Sequence, residues 1–254
     1  MTVPDAWKPE AQMRRIHVHW TAGSYDAGAK DRKSYHLLIT GDGSLVRGDT
    51  SIKANEAGSG LTPASHTKKA NTGAIGVSMC CMANAKESPF DAGKNPMKAV
   101  QWDAMIAVVA DLAKHYGIPV TPMTILTHAE VQPNLSILQD GKWDITHLPF
   151  DPKTVGYRTV GDKMRLAVAV ALDGLNGKTA SGPLPEAMKL PRYKVQGVAP
   201  STLGFRRSPG GEKVGELPEG AVVERLSGLG DWSQVRTRAG YVGWVATAFL
   251  KALP

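Results

Sequence analysis

The sequence predicts an α/β domain, a mixed central sheet flanked by helices, followed by a small all-β barrel. Three observations predict it. Residues 14–172 alternate apolar strand-like runs with helical stripes, the pattern of helices packed on a sheet. "NGKTASGPLPEAMKLP", residues 176–191, is rich in Gly, Pro and Ser and has no hydrophobic period, which reads as a linker. Beyond it helix signals vanish, and short strands alternate with Gly and Pro turns. The reading is a first domain over 1–175, a linker over 176–191 and a second domain over 192–254.

The elements follow in order. "RRIHVHW" is a strand that puts His17 and His19 on one face, because side chains two apart in a strand point the same way. "SYHLLITGDGSLVRG" is a hairpin broken at its "GDG" turn. "AIGVSMCCM" is a third strand, and adjacent Cys80 and Cys81 are expected there as two buried free thiols, since neighbours on a strand face opposite ways. "KAVQWDAMIAVVADLAKHYG" is a helix with Val100, Met105, Val108, Val109 and Leu112 on its stripe and Gly117 at its stop. "MTILTHAEV" is a fourth strand ending in His128. "GDKMRLAVAVALDGL" is a second helix with Asp162 near its start. After the linker, "GFRRSPG", "KVGELPEGAVVERLSG" and "DWSQVRTRAGYVGWVATAFL" are the strands of the barrel.

Composition narrows the function. A formal charge of +7 favours anionic partners. The basic residues are scattered, with no basic heptads and no zinc-finger spacing, so no nucleic-acid partner is expected. No apolar run is long enough to cross a membrane, and "MTVPDAWKPEAQ" has no signal-peptide core. The expectation is a chain made in the cytoplasm without a leader.

Of seven histidines, His115 sits at a helix end, where a cation suits the dipole. His19 and His128 each end a strand. A catalytic zinc takes three protein ligands and keeps one open position, and its ligands can come from distant strand ends and loops. Asp144 or His147, both in "GKWDITHLPFD", could complete such a set.

"VHWTAG" at 18–23, "YHLLITGDGSLVRG" at 35–48, "SHTKKANTGAIGVSM" at 65–79, "LTHAEV" at 126–131 and "KWD" at 142–144 stand in the order seen in type 2 N-acetylmuramoyl-L-alanine amidases. Residues 14–170 resemble that family, which includes phage lysozyme-like amidases and is related to the peptidoglycan recognition proteins. The resemblance implies a Zn²⁺ site of His19, His128 and Asp144, with His147 the rival third ligand and His17 a neighbour of the site. It implies Lys142 as oxyanion stabiliser, Tyr35 as holder of the attacking water, and His36 and His66 as substrate contacts. Relatives of the wall-recycling type carry a glutamate where this chain has Ser78, and "DIT" replaces the common "DPG" after Trp143.

Residues 204–251 resemble a bacterial SH3-like domain through "RSPG", "LPEG", "DWSQVR" and "GYVGWVATAFL". Such a domain is expected to bind the cell wall, with Trp232, Trp244 and Phe249 filling its core. Together the resemblances imply a zinc peptidoglycan hydrolase cutting between N-acetylmuramic acid and L-alanine. Its partner is the cell-wall polymer, and it is expected to reach the wall at lysis, as an endolysin does. The rivals are an intracellular muropeptide-recycling amidase, disfavoured by Ser78 and the added β domain, and a non-catalytic wall binder, disfavoured by the intact ligand set.

Overall fold

The computed structural model describes residues 2–176, 191–238 and 241–253. The linker expected over 176–191 lies, apart from its two end residues, outside the described residues. The chain divides into two compact units, Met1–Ser181 and Gly182–Pro254.

The first unit is built on a five-stranded sheet. Its strands are β1 (Arg15–Trp20), β2 (Leu37–Ile39), β3 (Leu45–Arg47), β4 (Ala74–Met79) and β5 (Ile125–Thr127), in the order β3-β2-β4-β1-β5. Only β3 runs antiparallel. The near-continuous apolar runs of β1 and β4 are what a parallel sheet covered on both faces requires; Ile16, Val18, Ile75 and Val77 are all fully buried. Register sets the site: His19 pairs with Ser78 and Val18 with Thr127, so the carboxyl ends of β1, β4 and β5 finish side by side. Open parallel sheets bind ligands at this edge.

Four helices accompany the sheet: α1 (Ala29–Ser34), α2 (Ala99–Tyr116), α3 (His128–Leu135) and α4 (Tyr157–Leu175). The stripe expected on α2 is buried at Met105, Val108, Val109 and Leu112, but Val100, the second residue of the helix, is 46% exposed. Gly117 stops α2 with φ 63°, the left-handed conformation that glycine takes without penalty. Buried Gln101 donates to the carbonyls of Ile39 (3.2 Å) and Cys80 (2.9 Å), tying α2 to the ends of β2 and β4. Cys80 and Cys81 are buried and free as expected, but they lie just past β4 rather than within it.

The larger correction concerns His128. It is not the last residue of a strand but the first of a helix, α3. Thr127–His128–Ala129–Glu130 has the T-x-x-E signature of a capped helix start. The Glu130 carboxylate accepts from the backbone N–H of Thr127 at 3.0 Å. Fully buried, Glu130 is also gripped by both guanidinium nitrogens of Arg165 from α4, at 2.8 and 2.9 Å. Arg165 adds a bond to the Ile125 carbonyl of β5 (3.0 Å), so one ion pair joins the end of the sheet, the start of α3 and α4. There is no room for more: a Cβ on Gly161 would sit 2.2 Å from the Glu130 carboxylate.

The second unit is an antiparallel sheet of β6 (Arg192–Val195), β7 (Leu203–Arg206), β8 (Lys213–Leu217), β9 (Val222–Leu229), β10 (Trp232–Thr237), β11 (Val242–Ala246) and β12 (Leu250–Ala252). The strand order is β12-β6-β9-β10-β11-β7-β8. Its core is Val195, Leu203, Phe205, Leu217, Val223, Val235 and Val245. The expected aromatic filling is therefore wrong. Trp232 and Trp244 are only half-buried and Phe249 is 38% exposed, while Phe205 and aliphatic residues fill this core.

The Glu130–Arg165 pair yields a stability prediction. Arg165→Met leaves a buried carboxylate uncompensated and should cost about 3–5 kcal/mol. Removing Arg158, whose pair with Asp162 is partly exposed, should cost under about 1 kcal/mol. Denaturant unfolding of both variants reads the difference; equal, small losses would show that the buried pair does not hold this corner.

Candidate metal centre

Three side chains converge at the carboxyl edge of the sheet. His19 comes from the end of β1, His128 from the first turn of α3, and Asp144 from the loop between α3 and α4. The backbone carbonyl of Asp144 accepts from Ala129 N–H at 2.6 Å, fastening that loop to the start of α3. His19 Nδ1 and His128 Nδ1 are 3.0 Å apart, and each is 3.1 Å from Asp144 Oδ2. All three residues are buried.

This triangle fits a metal. Two imidazole nitrogens and a carboxylate oxygen at such spacing place three possible ligand atoms together. Zinc bonds of about 2.0–2.1 Å in a tetrahedron put ligand atoms about 3.3 Å apart, close to the edges seen. Among the described residues, His19, His128 and Asp144 are the one group of His, Cys, Asp or Glu able to hold a metal. His147 is not brought to the triangle. Its ring stacks on Phe90 at 4.1 Å and its Nδ1 bonds the Thr146 hydroxyl at 2.9 Å.

Charge follows burial. Burial holds His19 down at about 4 against the pull of Asp144, and brings His36 to about 4 as well. It pushes His17 and His66 well below the usual histidine range. These rings are neutral at pH 7. Burial pushes the Asp144 carboxyl up, but the adjoining His128 and His19 rings outweigh it and hold Asp144 at about 2.

His128 and Asp144 line a cleft of about 440 Å³, and His19 lies buried directly behind them. Tyr35, His66 and Lys142 also line it, together with Trp20, Lys68 and Trp143. Burial first, and then the Asp144 charge, push the Tyr35 phenol above its ordinary range, so it stays protonated. Trp143 meets Trp20 edge to face at 4.7 Å, which pins the loop that carries Lys142. His66 reaches the cleft but is only 6% exposed, packed edge-on against His17, His19 and His36. His36 does not reach it. It is buried in the layer behind, where its Nδ1 accepts from Gly76 N–H at 2.9 Å.

Two contacts were not foreseen from the residues. The Thr67 hydroxyl touches His17 Nδ1 (3.0 Å), His66 Nδ1 (2.9 Å) and His19 Nε2 (3.3 Å). The Gln139 carbonyl oxygen lies 3.0 Å from His128 Nε2. Neither position carries a local signal: Thr67 meets rings 48 and 50 residues away, and Gln139 reaches His128 across the loop after α3, its amide oriented by Lys68, 71 residues away.

Comparison with known proteins follows the same division of the chain. The N-acetylmuramoyl-L-alanine amidase family (Amidase_2) matches residues 9–146, and the bacterial SH3 domain family matches 202–251. Similar solved structures include the N-acetylmuramoyl-L-alanine amidase LysC from Clostridium intestinale URNW, at 19% identity and TM-score 0.33, covering 48% of this chain and 73% of that one. The Ph2119 endolysin from Thermus scotoductus MAT2119 bacteriophage Ph2119 is similar at 18% identity and TM-score 0.33, covering 48% and 75%. AmiD from E. coli, in complex with anhydro-N-acetylmuramic acid-L-Ala-D-γ-Glu-L-Lys, is similar at 18% identity and TM-score 0.36, covering 48% and 50%. No curated protein sequence matches the chain. The amidase match spans more than half of the 254 residues and includes His19, His128 and Asp144, so the chain belongs to the N-acetylmuramoyl-L-alanine amidase family and carries a bacterial SH3 domain behind it.

Proposed function

We propose that the protein is a zinc-dependent peptidoglycan amidase that cleaves the bond between the lactyl group of N-acetylmuramic acid and L-alanine, acting as an endolysin. The observation that carries this reading is the triangle of His19, His128 and Asp144, two of whose members line a cleft, in a domain of the amidase family. His19 and His128 donate through Nδ1 and Asp144 through Oδ2. A zinc ion held there supplies Lewis-acid polarisation of the scissile carbonyl and lowers the pKa of a water to about 7.

The chain's own residues do the rest. The ammonium of Lys142 stabilises the carbonyl oxygen as it becomes anionic; a preorganised charge in a confined site needs no reorganisation. Tyr35, held neutral, acts by hydrogen bonding and orients the attacking water. Water adds across the amide, leaving a carboxylate on the lactyl group and a free amine on alanine. Ser78 stands beside His19 at the end of β4, and a hydroxyl cannot serve as the general base that a glutamate would be. Proton handling therefore falls to Tyr35 and Lys142.

The second unit targets the enzyme to the wall. A hollow of about 380 Å³ there is lined by Trp232, Phe249 and Arg206, with the Arg206 guanidinium 5.7 Å from the Trp232 ring. Half-exposed aromatics beside a cation suit a polar polymer carrying peptides. No helix among the described residues is long and apolar enough to cross a membrane.

Three outcomes are expected. His128→Ala should abolish both zinc binding and hydrolysis, measured by metal analysis and release of N-terminal alanine from sacculi, while His147→Ala keeps its zinc; the reverse pattern would move the ligand to His147. Lys142→Ala should keep zinc and lose about 10²–10³ in kcat, the scale for one oxyanion donor; a change in KM alone would make it a binding residue. A chain ending at Leu175 should still cleave soluble muropeptides but bind sacculi less well, since the second unit raises local concentration at the wall. The difference should shrink with salt as charge attraction is screened. Equal sacculus binding at low salt would rule out targeting.

A further inference from the structure

Hydrogen-bond arithmetic behind the metal triangle fixes where each ring proton sits. The Gln139 amide nitrogen donates to the carbonyls of Lys68 (2.9 Å) and Ile137 (3.3 Å), which turns its oxygen toward His128. That oxygen only accepts, so His128 Nε2 carries the hydrogen and Nδ1 is left with a lone pair.

The His19 side is settled by a hub. Asn55 accepts from Ala64 N–H, which orients its amide, and its amide nitrogen faces the carbonyls of Ala64 and Asn71 (both 3.1 Å) and Ala74 (3.2 Å), with His66 Nε2 farther off at 3.4 Å. His66 Nε2 lies nearer the Ala74 carbonyl, at 3.3 Å; that oxygen only accepts and has two lone pairs, so it takes a hydrogen from His66 Nε2 as well as from Asn55. His66 Nδ1 is consequently an acceptor and takes the one hydrogen of the Thr67 hydroxyl. A hydroxyl has one hydrogen and two lone pairs. With its hydrogen spent on His66, Thr67 Oγ1 can only accept from the other two rings. His17 must therefore be protonated on Nδ1 and His19 on Nε2. The consequence for His17 matches the structure: its Nε2, now a bare lone pair, is buried without a hydrogen-bond partner. The consequence for His19 is that Nδ1 faces Asp144 and His128 with its lone pair free.

From this we infer that Thr67 is a positioning residue for the metal site: it holds His19 in the Nε2–H form, as Gln139 holds His128, so that both Nδ1 lone pairs are committed to a cation. The inference deepens the metal-site reading above and rests on it. Outer-shell partners of this kind commonly contribute 10–100-fold to metal affinity.

The test combines ring ¹H–¹⁵N NMR of the zinc-loaded full chain with zinc affinity by chelator competition. The wild-type rings should show protons on Nδ1 of His17 and on Nε2 of His19 and His66. Thr67→Val should weaken zinc binding about 10–100-fold, and Thr67→Ser, which keeps the hydroxyl, should stay near wild type. A Thr67→Val protein that binds zinc as tightly as wild type overturns the proposal alone. So does a spectrum of the zinc-free wild-type chain with His19 protonated on Nδ1, which decides the matter even if Thr67→Val fails to fold. A wild-type chain that takes up no zinc would overturn the metal-site reading itself, and the proposal with it.

Discussion

Three side-chain atoms able to ligate a metal, His19 Nδ1, His128 Nδ1 and Asp144 Oδ2, are held 3.0–3.1 Å from one another, and that convergence organises the first domain. Two imidazoles and a carboxylate are buried at one edge of the sheet, where desolvation alone would expel charge. The fold keeps them because each is held from behind. His19 is locked in the strand of the sheet that pairs on both sides, His128 is set by a capped helix start, and Asp144 is strapped to that same helix through its own carbonyl.

The supports are themselves buried polar groups, and they form a continuous layer. Glu130 answers to Arg165, His128 to Gln139, His19 to Thr67, and Thr67 to His17 and His66. Such layers are costly to assemble and rigid once complete. Pre-set ligand geometry is what lets a metal site keep one position for substrate, and it leaves the cleft wall to Tyr35 and Lys142. The second domain shares none of this. Its core is small, and Trp232, Trp244 and Phe249 stay partly exposed at its surface.

How much of this was legible in the residues differs from element to element. Long periodic segments, such as Met105 to Leu112 on α2 and the apolar run of β1, showed their type because burial imposes a period. The ligand histidines and Asp144 were reached through ordered short motifs, not through spacing, since ligands from strand ends and loops share no period. His128 was misplaced on a strand because "ILT" before it is β-branched and apolar, although Thr127 and Glu130 carried the capping signal that overrides it. His36 sits in the layer behind the cleft, where its ring accepts from Gly76 N–H of β4 and meets His66. Size alone points the barrel's aromatics inward, whereas along β11 alternation buries Val245 and leaves Trp244 half-buried. Thr67 and Gln139 could not be found at all, since their roles exist only once residues some fifty apart and more have been folded together.

The central claim is that His19, His128 and Asp144 hold zinc through two imidazole nitrogens and a carboxylate oxygen. Zinc-edge X-ray absorption of the purified full chain addresses it most directly. The account predicts one bound zinc with only nitrogen and oxygen neighbours at about 2.0–2.1 Å, two of them showing imidazole scattering. A sulfur shell near about 2.3 Å, or three imidazoles, would contradict it, the first by bringing in Cys80 or Cys81 and the second by replacing Asp144 with another histidine.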